Sequence, residues 1–333
     1  MKTNSLILIM FLLVWQVLFT TCRTTGKSEY EFRETNDDYR LVWQDMFNNN
    51  VLDERNWTIE VNGSGGGNAE LQYYRQENIS IGQEPVSGES CLVITAKKEN
   101  FKNKTATSGR MTSKDKVSFK FGKIEARIKL PQTANGLWPA FWMMGTDYSF
   151  SGWPACGEID IMEMGNSTGI TKGIQSRYLT SACHWGTNWN GGVYPNYAED
   201  TIVPYSLQDD DFHLYTLKWD NTAIKMYLDL DKYPDNSPYY ELDISEKTTS
   251  ASAGNYFQKR FFILFNLAVG GNFTGIWDIN QVTALAAGDV HMYVDYVKIY
   301  QKGKVDEELE SAATNRTNVP ASKTNPDKKI ELQ

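Results

Sequence analysis

The sequence predicts an all-β fold, a β-jelly-roll sandwich of two curved antiparallel sheets with a concave cleft. Segments of alternating apolar and polar residues recur from about residue 40 to about residue 302. Gly, Asn, Asp and Pro punctuate the gaps between them, and convincing amphipathic helices are scarce. Each such strand has one apolar face to bury, and packing two sheets face to face is the arrangement that buries them all. A curved sheet with one open face is a natural cleft for an extended polymer.

The elements follow in chain order. Lys2 gives a short positive start, Leu6 to Phe19 form an apolar run broken by Gln16, and Thr20 and Thr21 lead into Cys22. Residues 1–21 therefore read as an export signal, too short to span a membrane, with Cys22 as a lipidation site of bacterial lipoprotein type. The expected location is a bacterial cell surface or outer membrane, otherwise secretion, with membrane contact through the lipid anchor only. Residues 22–39 are polar and read as a linker, 40–302 as the folded domain, and 303–333 as a polar flexible tail. Within the domain, Cys91–Lys97, Phe119–Leu130, His213–Trp219, Ala223–Asp229 and Met292–Tyr300 alternate in and out. Phe261–Ala268 is continuously apolar, as a strand covered on both faces should be, and Asn280–Ala287 suits a short helical turn.

Composition narrows the function. A hydrophobic content of 41% is enough for a sizeable core, and ten Trp residues exceed what packing alone needs, which points to stacking surfaces. A net charge of −8 argues against a nucleic-acid partner, since phosphate binding needs a basic face, and favours a neutral ligand over a highly sulfated one. Besides Cys22 there are Cys91, Cys156 and Cys183, and the histidines are His184, His213 and His291. Their spacing matches neither a zinc site nor a haem attachment, and buried free thiols are favoured over one disulfide.

The informative segment is Gly157-Glu-Ile-Asp-Ile-Met-Glu-Met-Gly165. It is short, glycine-bounded and carries β-branched spacers, so it reads as a strand. In a regular strand Glu158 and Asp160 share a face and Glu163 falls on the other. One extra residue in a β-bulge around Ile161–Met162 returns Glu163 to the first face, and bulges serve to re-aim side chains beside active sites. Two carboxyls brought to about 5–5.5 Å serve a retaining glycosidase, one attacking the anomeric carbon and one protonating the leaving oxygen. Asp160 between them is placed to hydrogen-bond one glutamate, and crowding pushes the pKa values apart. The alternative is a solvated acidic strand face.

Glu-Ile-Asp-Ile-Met-Glu resembles the signature of glycoside hydrolase family 16 in its bulged, laminarinase-type form. Further blocks resemble the family in order: Asn68-Ala-Glu-Leu-Gln-Tyr-Tyr74, Ser108-Gly-Arg-Met111, Gly122–Arg127, Gly136-Leu-Trp-Pro-Ala-Phe-Trp142, His184-Trp185, Phe262–Gly271 and Val294-Asp-Tyr-Val297. The resemblance implies a jelly-roll endo-hydrolase with Glu158 as nucleophile, Asp160 as its helper and Glu163 as general acid/base. It also implies that Asn68, Glu70 and Arg110 grip sugar hydroxyls on the glycone side and that His184 contacts the leaving side. Trp138 and Trp142, at i and i+4 on one strand face, suit a sugar platform, with core packing as the alternative. Trp185 is expected beside His184, and Asn266 on the cleft floor or satisfying backbone. Ala69 stands where many members have Asn.

No cofactor is expected for catalysis. A structural calcium is implied by the family, with Asp295 as one ligand, although Met46 stands where the early strand usually carries Glu. The expected partner is β-glucan, either β-1,3 or mixed-linkage β-1,3/1,4, with a monomer as the working state. Marine galactans (agarose, porphyran, carrageenan) are the alternative substrates, and a non-catalytic glucan-binding protein the alternative class.

Overall fold

The computed structural model describes residues 38–187 and 194–311. The export signal, Cys22, the linker up to residue 37 and residues 312–333 of the tail lie outside the described residues.

Two antiparallel sheets dominate, as the alternating patterns predict. One has eight strands, in the order Tyr240–Asp243, Ala223–Leu228, His213–Trp219, Gly122–Lys129, Val290–Gln301, Ser90–Ala96 and Ile79–Gln83, with Arg40–Asp45 also pairing to Val290–Gln301. The other has nine, in the order Asn196–Ile202, Tyr178–His184, Glu158–Glu163, Leu137–Gly145, Phe261–Val269, Arg110–Thr112 and Thr58–Ile59. Val117–Lys120 joins this sheet beside Phe261–Val269, and Glu308–Ser311 pairs with Val117–Lys120. The inward faces of the two sheets form one apolar core that includes Trp43, Trp57, Phe141, Ile159, Trp219 and Phe265. Phe261–Val269 is buried along its whole length, which accounts for its unbroken apolar run.

Two expectations need correction. Phe119–Leu130 is not one strand: Val117–Lys120 belongs to one sheet and Gly122–Lys129 to the other. The chain turns a corner at Phe121 (φ 60°) and Gly122 (φ 119°), where a Cβ on Gly122 would collide with the Tyr300 carbonyl. The polar tail does not begin at residue 303, because Glu308–Ser311 forms an edge strand with Leu309 packed against the core. Asp295, the residue implied as a calcium ligand, is buried and accepts from Arg127 at its Oδ2 (2.7 Å).

Cys91, Cys156 and Cys183 are buried and free, as favoured from the sequence. The turn expected over Asn280–Ala287 appears as two 3₁₀ turns, Ile279–Gln281 and Thr283–Leu285. Ala69 holds φ 56°, a left-handed conformation that costs an L-residue with a bare Cβ about 1–2 kcal/mol but suits Gly and Asn. Because Ala69 is exposed, Ala69→Gly and Ala69→Asn lose no packing. Each should stabilise the fold by ~0.5–1 kcal/mol and raise Tm by about 1–4 °C in calorimetry; an unchanged Tm would show that the loop absorbs the strain.

Candidate active site

The nine-stranded sheet carries on its outer face a groove of about 980 Å³, lined by residues from four of its strands and from segments outside them. The acidic strand Glu158–Glu163 lies near its middle, and here the predicted bulge is present. Against Leu137–Gly145, Phe141 pairs with Met162 but the next residue, Trp142, pairs with Asp160, leaving Ile161 as the extra residue. The same shift appears on the other side, between Asp160–Ala182 and Glu163–Thr180. Ile161 points to the core, and Glu158, Asp160 and Glu163 all line the groove.

Packing fixes each acid differently. Glu163 is 9% exposed and its Oε1 accepts the Trp138 indole N–H at 2.9 Å. Asp160 is buried with its Oδ2 at 3.2 Å from His184 Nε2. The sequence reading paired Asp160 with a glutamate; the structure sets it against this imidazole, which the neighbouring strand places opposite Glu158. Glu158 is half-buried at the mouth of the cluster. One ligand atom each from Glu158, Asp160 and His184 lie within 4.8 Å of one another, which measures the crowding.

Three carboxyls in one poorly hydrated site cannot all be ionised. Burial, then the charge of Asp160, pushes Glu158 up to about 8, while His184 and Arg110 hold it down. Burial pushes Asp160 up to about 8. Glu163 is pushed well above the ordinary carboxylate value by burial and by Asp160, with His184 and the Trp138 hydrogen bond opposing. Glu158 has Arg110 among its cationic neighbours and the better access to water, so of the two glutamates it is the readier to ionise. The arrangement can therefore offer one carboxylate and one carboxylic acid from a single strand face.

The other expected residues fall mostly where the sequence placed them. Trp138 and Trp142 project to the groove from Leu137–Gly145. Trp138 stacks on Phe273 at 4.6 Å between centroids and 14° between planes, and Trp142 donates to Asn266 Oδ1 at 2.7 Å. Asn266 thus lies on the groove floor and orients a tryptophan. Arg110 pairs with Glu60 at 3.0 Å and lays its guanidinium 4.8 Å from the Trp142 ring centre. Glu70 lines the groove with Oε2 accepting from Gln72 (2.5 Å) and Tyr74 (2.9 Å). Gly66, at φ 58°, leaves room for that carboxyl, where any Cβ would strike Oε1. Asn68 also lines the groove.

Trp185 is the exception. It is 7% exposed, sits in the core against Phe257 and donates its indole N–H to the Ala251 carbonyl at 2.8 Å. Strand alternation explains this, because the residue after a groove-facing His184 must point inward. Conversely, the sequence reading missed groove residues carried outside the strands: Glu60, Asn62, Tyr148, Trp153, Tyr194 and Asn272. Of these only Trp153 gave a signal, as the Gly-Trp-Pro just ahead of the acidic strand. Its ring lies 4.6 Å from Tyr194 and 6.1 Å from His184.

Comparison with known proteins agrees with this geometry. The family model for glycosyl hydrolases family 16 matches residues 72–244. Two curated relatives align over 79% of this chain: the clotting factor G alpha subunit of Tachypleus tridentatus, 33% identical, and glucan endo-1,3-beta-glucosidase A1 of Niallia circulans, 32% identical. The chain spans only 34% and 38% of their respective lengths. A solved family 16 enzyme of a Bacteroides ovatus mixed-linkage glucan locus, in complex with the product G4G4G3G, is 44% identical with a TM-score of 0.67, covering 77% of this chain and 99% of that one. On the matched family model, the two-sheet architecture and the bulged acidic strand in the groove, this chain belongs to glycosyl hydrolases family 16.

Proposed function

We propose that this chain is a retaining endo-β-glucanase that cleaves β-1,3-glucan, mixed-linkage β-1,3/1,4-glucan or both. The observation that carries this reading is the trio Glu158, Asp160 and Glu163 on one face of a bulged strand, in the middle of a groove open to a polymer. The relatives that act on β-1,3- and mixed-linkage glucan support the substrate class. Glu158, ionised, attacks the anomeric carbon as Glu163 protonates the departing oxygen; Glu163 then takes a proton from water, which displaces Glu158 and restores the β-configuration. Asp160, held by His184, keeps the cluster's charge distributed so that only one glutamate is ionised at the outset. Arg110, Glu70 and Asn68 meet sugar hydroxyls, and Trp138 and Trp142 pack against ring C–H faces. No step needs a cofactor. The lipoprotein-type leader supports a location outside the cytoplasm with Cys22 as the lipid anchor.

Product analysis tests the whole reading. The mature protein is incubated separately with laminarin, barley-type mixed-linkage glucan, agarose and carrageenan, and the products are separated by chromatography with NMR of the first-formed anomer. Short β-configured oligosaccharides from one or both glucans are expected, with the galactans untouched. Cleavage of a galactan alone would overturn the substrate, and an α-anomer first would overturn retention.

A further inference from the structure

The tryptophans divide cleanly by what they touch. Trp43, Trp57, Trp185 and Trp219 lie in the core, and Trp138, Trp142 and Trp153 line the groove. Among the described residues one tryptophan does neither: Trp277, which is 59% exposed. A scattered exposed apolar side chain is ordinary on a protein surface, so exposure alone says little. The setting of this one says more. Its indole N–H donates to Asn272 Oδ1 at 3.0 Å, and Asn272 itself lines the groove. Asn272 is in turn fixed by its backbone N–H on the Asn68 carbonyl (2.8 Å), and the adjoining Phe273 stacks on Trp138. Gly271 and Ile276 close the loop, with Gly271 N–H on the Ile276 carbonyl at 2.7 Å. The exposed ring is therefore tied by its indole N–H to the groove wall, on a loop whose ends are closed by backbone hydrogen bonds.

A rigid, solvent-facing indole with its polar edge already satisfied presents only its apolar face. That face suits the C–H side of a pyranose, whose hydroxyls point outward to water, and the loop has already lost the freedom that binding would otherwise remove. We infer that Trp277 is a secondary β-glucan contact outside the groove, stacking on a sugar ring of a polymer whose other residues occupy or pass the Asn272 wall. The inference rests on the glucanase reading and adds to it a contact beside the groove wall for a sugar ring distant from the one that reacts. Such a contact raises the local concentration of polymer beside the acids without touching the reacting sugar.

The test compares wild type with Trp277→Ala and Trp277→Phe. On an activated aryl glucoside, which carries a single sugar ring, all three should share kcat and KM. On laminarin or mixed-linkage glucan, Trp277→Ala should raise KM roughly three- to tenfold with kcat unchanged, and Trp277→Phe should recover part of the loss. In a Glu158→Gln background, the added Trp277→Ala should weaken retention on insoluble β-1,3-glucan by a similar factor. Equal polymer KM and equal retention in all variants would overturn the inference alone. A wild-type protein that cleaves neither glucan would overturn the reading beneath it as well.

Discussion

Glu158→Gln should lower kcat on glucan by about 10⁴- to 10⁶-fold, the largest effect of any single change in this protein. The amide keeps the shape of the side chain but cannot form the glycosyl ester, so the double displacement loses its first bond. Binding should survive, because the groove's aromatic and polar contacts are untouched, and retention on insoluble glucan should match wild type. The amide also removes a charge that Asp160 and Glu163 repel. A second variant makes the assignment stereochemical. Glu158→Ala leaves space for azide, which should restore turnover and give the α-glycosyl azide, since the anion now attacks from the face the carboxylate held. Wild-type turnover in Glu158→Gln would remove Glu158 from the mechanism.

Glu163→Gln should lower kcat on glucan by about 10²- to 10⁴-fold, the usual span for losing a general acid. With an activated aryl glucoside, whose leaving group needs no proton, the first step should stay fast and an intermediate should accumulate. Azide should then give the β-azide through Glu163→Ala, the opposite anomer from the Glu158 variant. The pH profile carries the same assignment. Glu158 is raised to about 8 in the unliganded groove and Glu163 well above its ordinary value, so both limbs of kcat/KM should lie above the ordinary carboxylate range. The alkaline limb should vanish for Glu163→Gln on the activated substrate. Stability follows with a definite sign. A carboxyl raised in the folded state contributes stability below its unfolded pKa and loses it as pH rises through the folded value. Glu163→Gln should therefore be more stable than wild type at neutral and alkaline pH, by ~1–2 kcal/mol, and the gain should shrink towards pH 4. A variant less stable than wild type at pH 8 would mean that Glu163 is ionised and well paired.

Much of this was legible because side-chain alternation is a strict rule. The acids at 158, 160 and 163 break period two by one residue, and only a bulge between Asp160 and Glu163 puts all three on one face; Ile161 is where it falls. The same rule, applied one residue further at His184, would have sent Trp185 into the core. Alternation failed at the Phe121–Gly122 corner, since the apolar pattern runs on through a change of sheet and only the backbone turns. Glu308–Ser311 escaped because a single Leu309 among polar residues leaves almost no pattern to read. Glu60, Tyr148, Trp153 and Tyr194, all outside the strands, reach the groove through tertiary packing, which no local spacing encodes.

The short strand Glu308–Ser311 has a practical consequence for how the domain is cut from the chain. Gln301 ties it to the corner by donating to the carbonyls of Lys120, Phe121 and Glu308. It covers one side of Val117–Lys120, whose other side is already paired with Phe261–Val269. A chain ending at Lys302, the boundary that composition suggests, would bare the backbone of Val117-Ser-Phe-Lys120 as an unprotected sheet edge. Such a fragment would retain its catalytic groove and yet pair edge to edge with its own copies, so that its solubility, rather than its chemistry, would depend on four residues far from the acids.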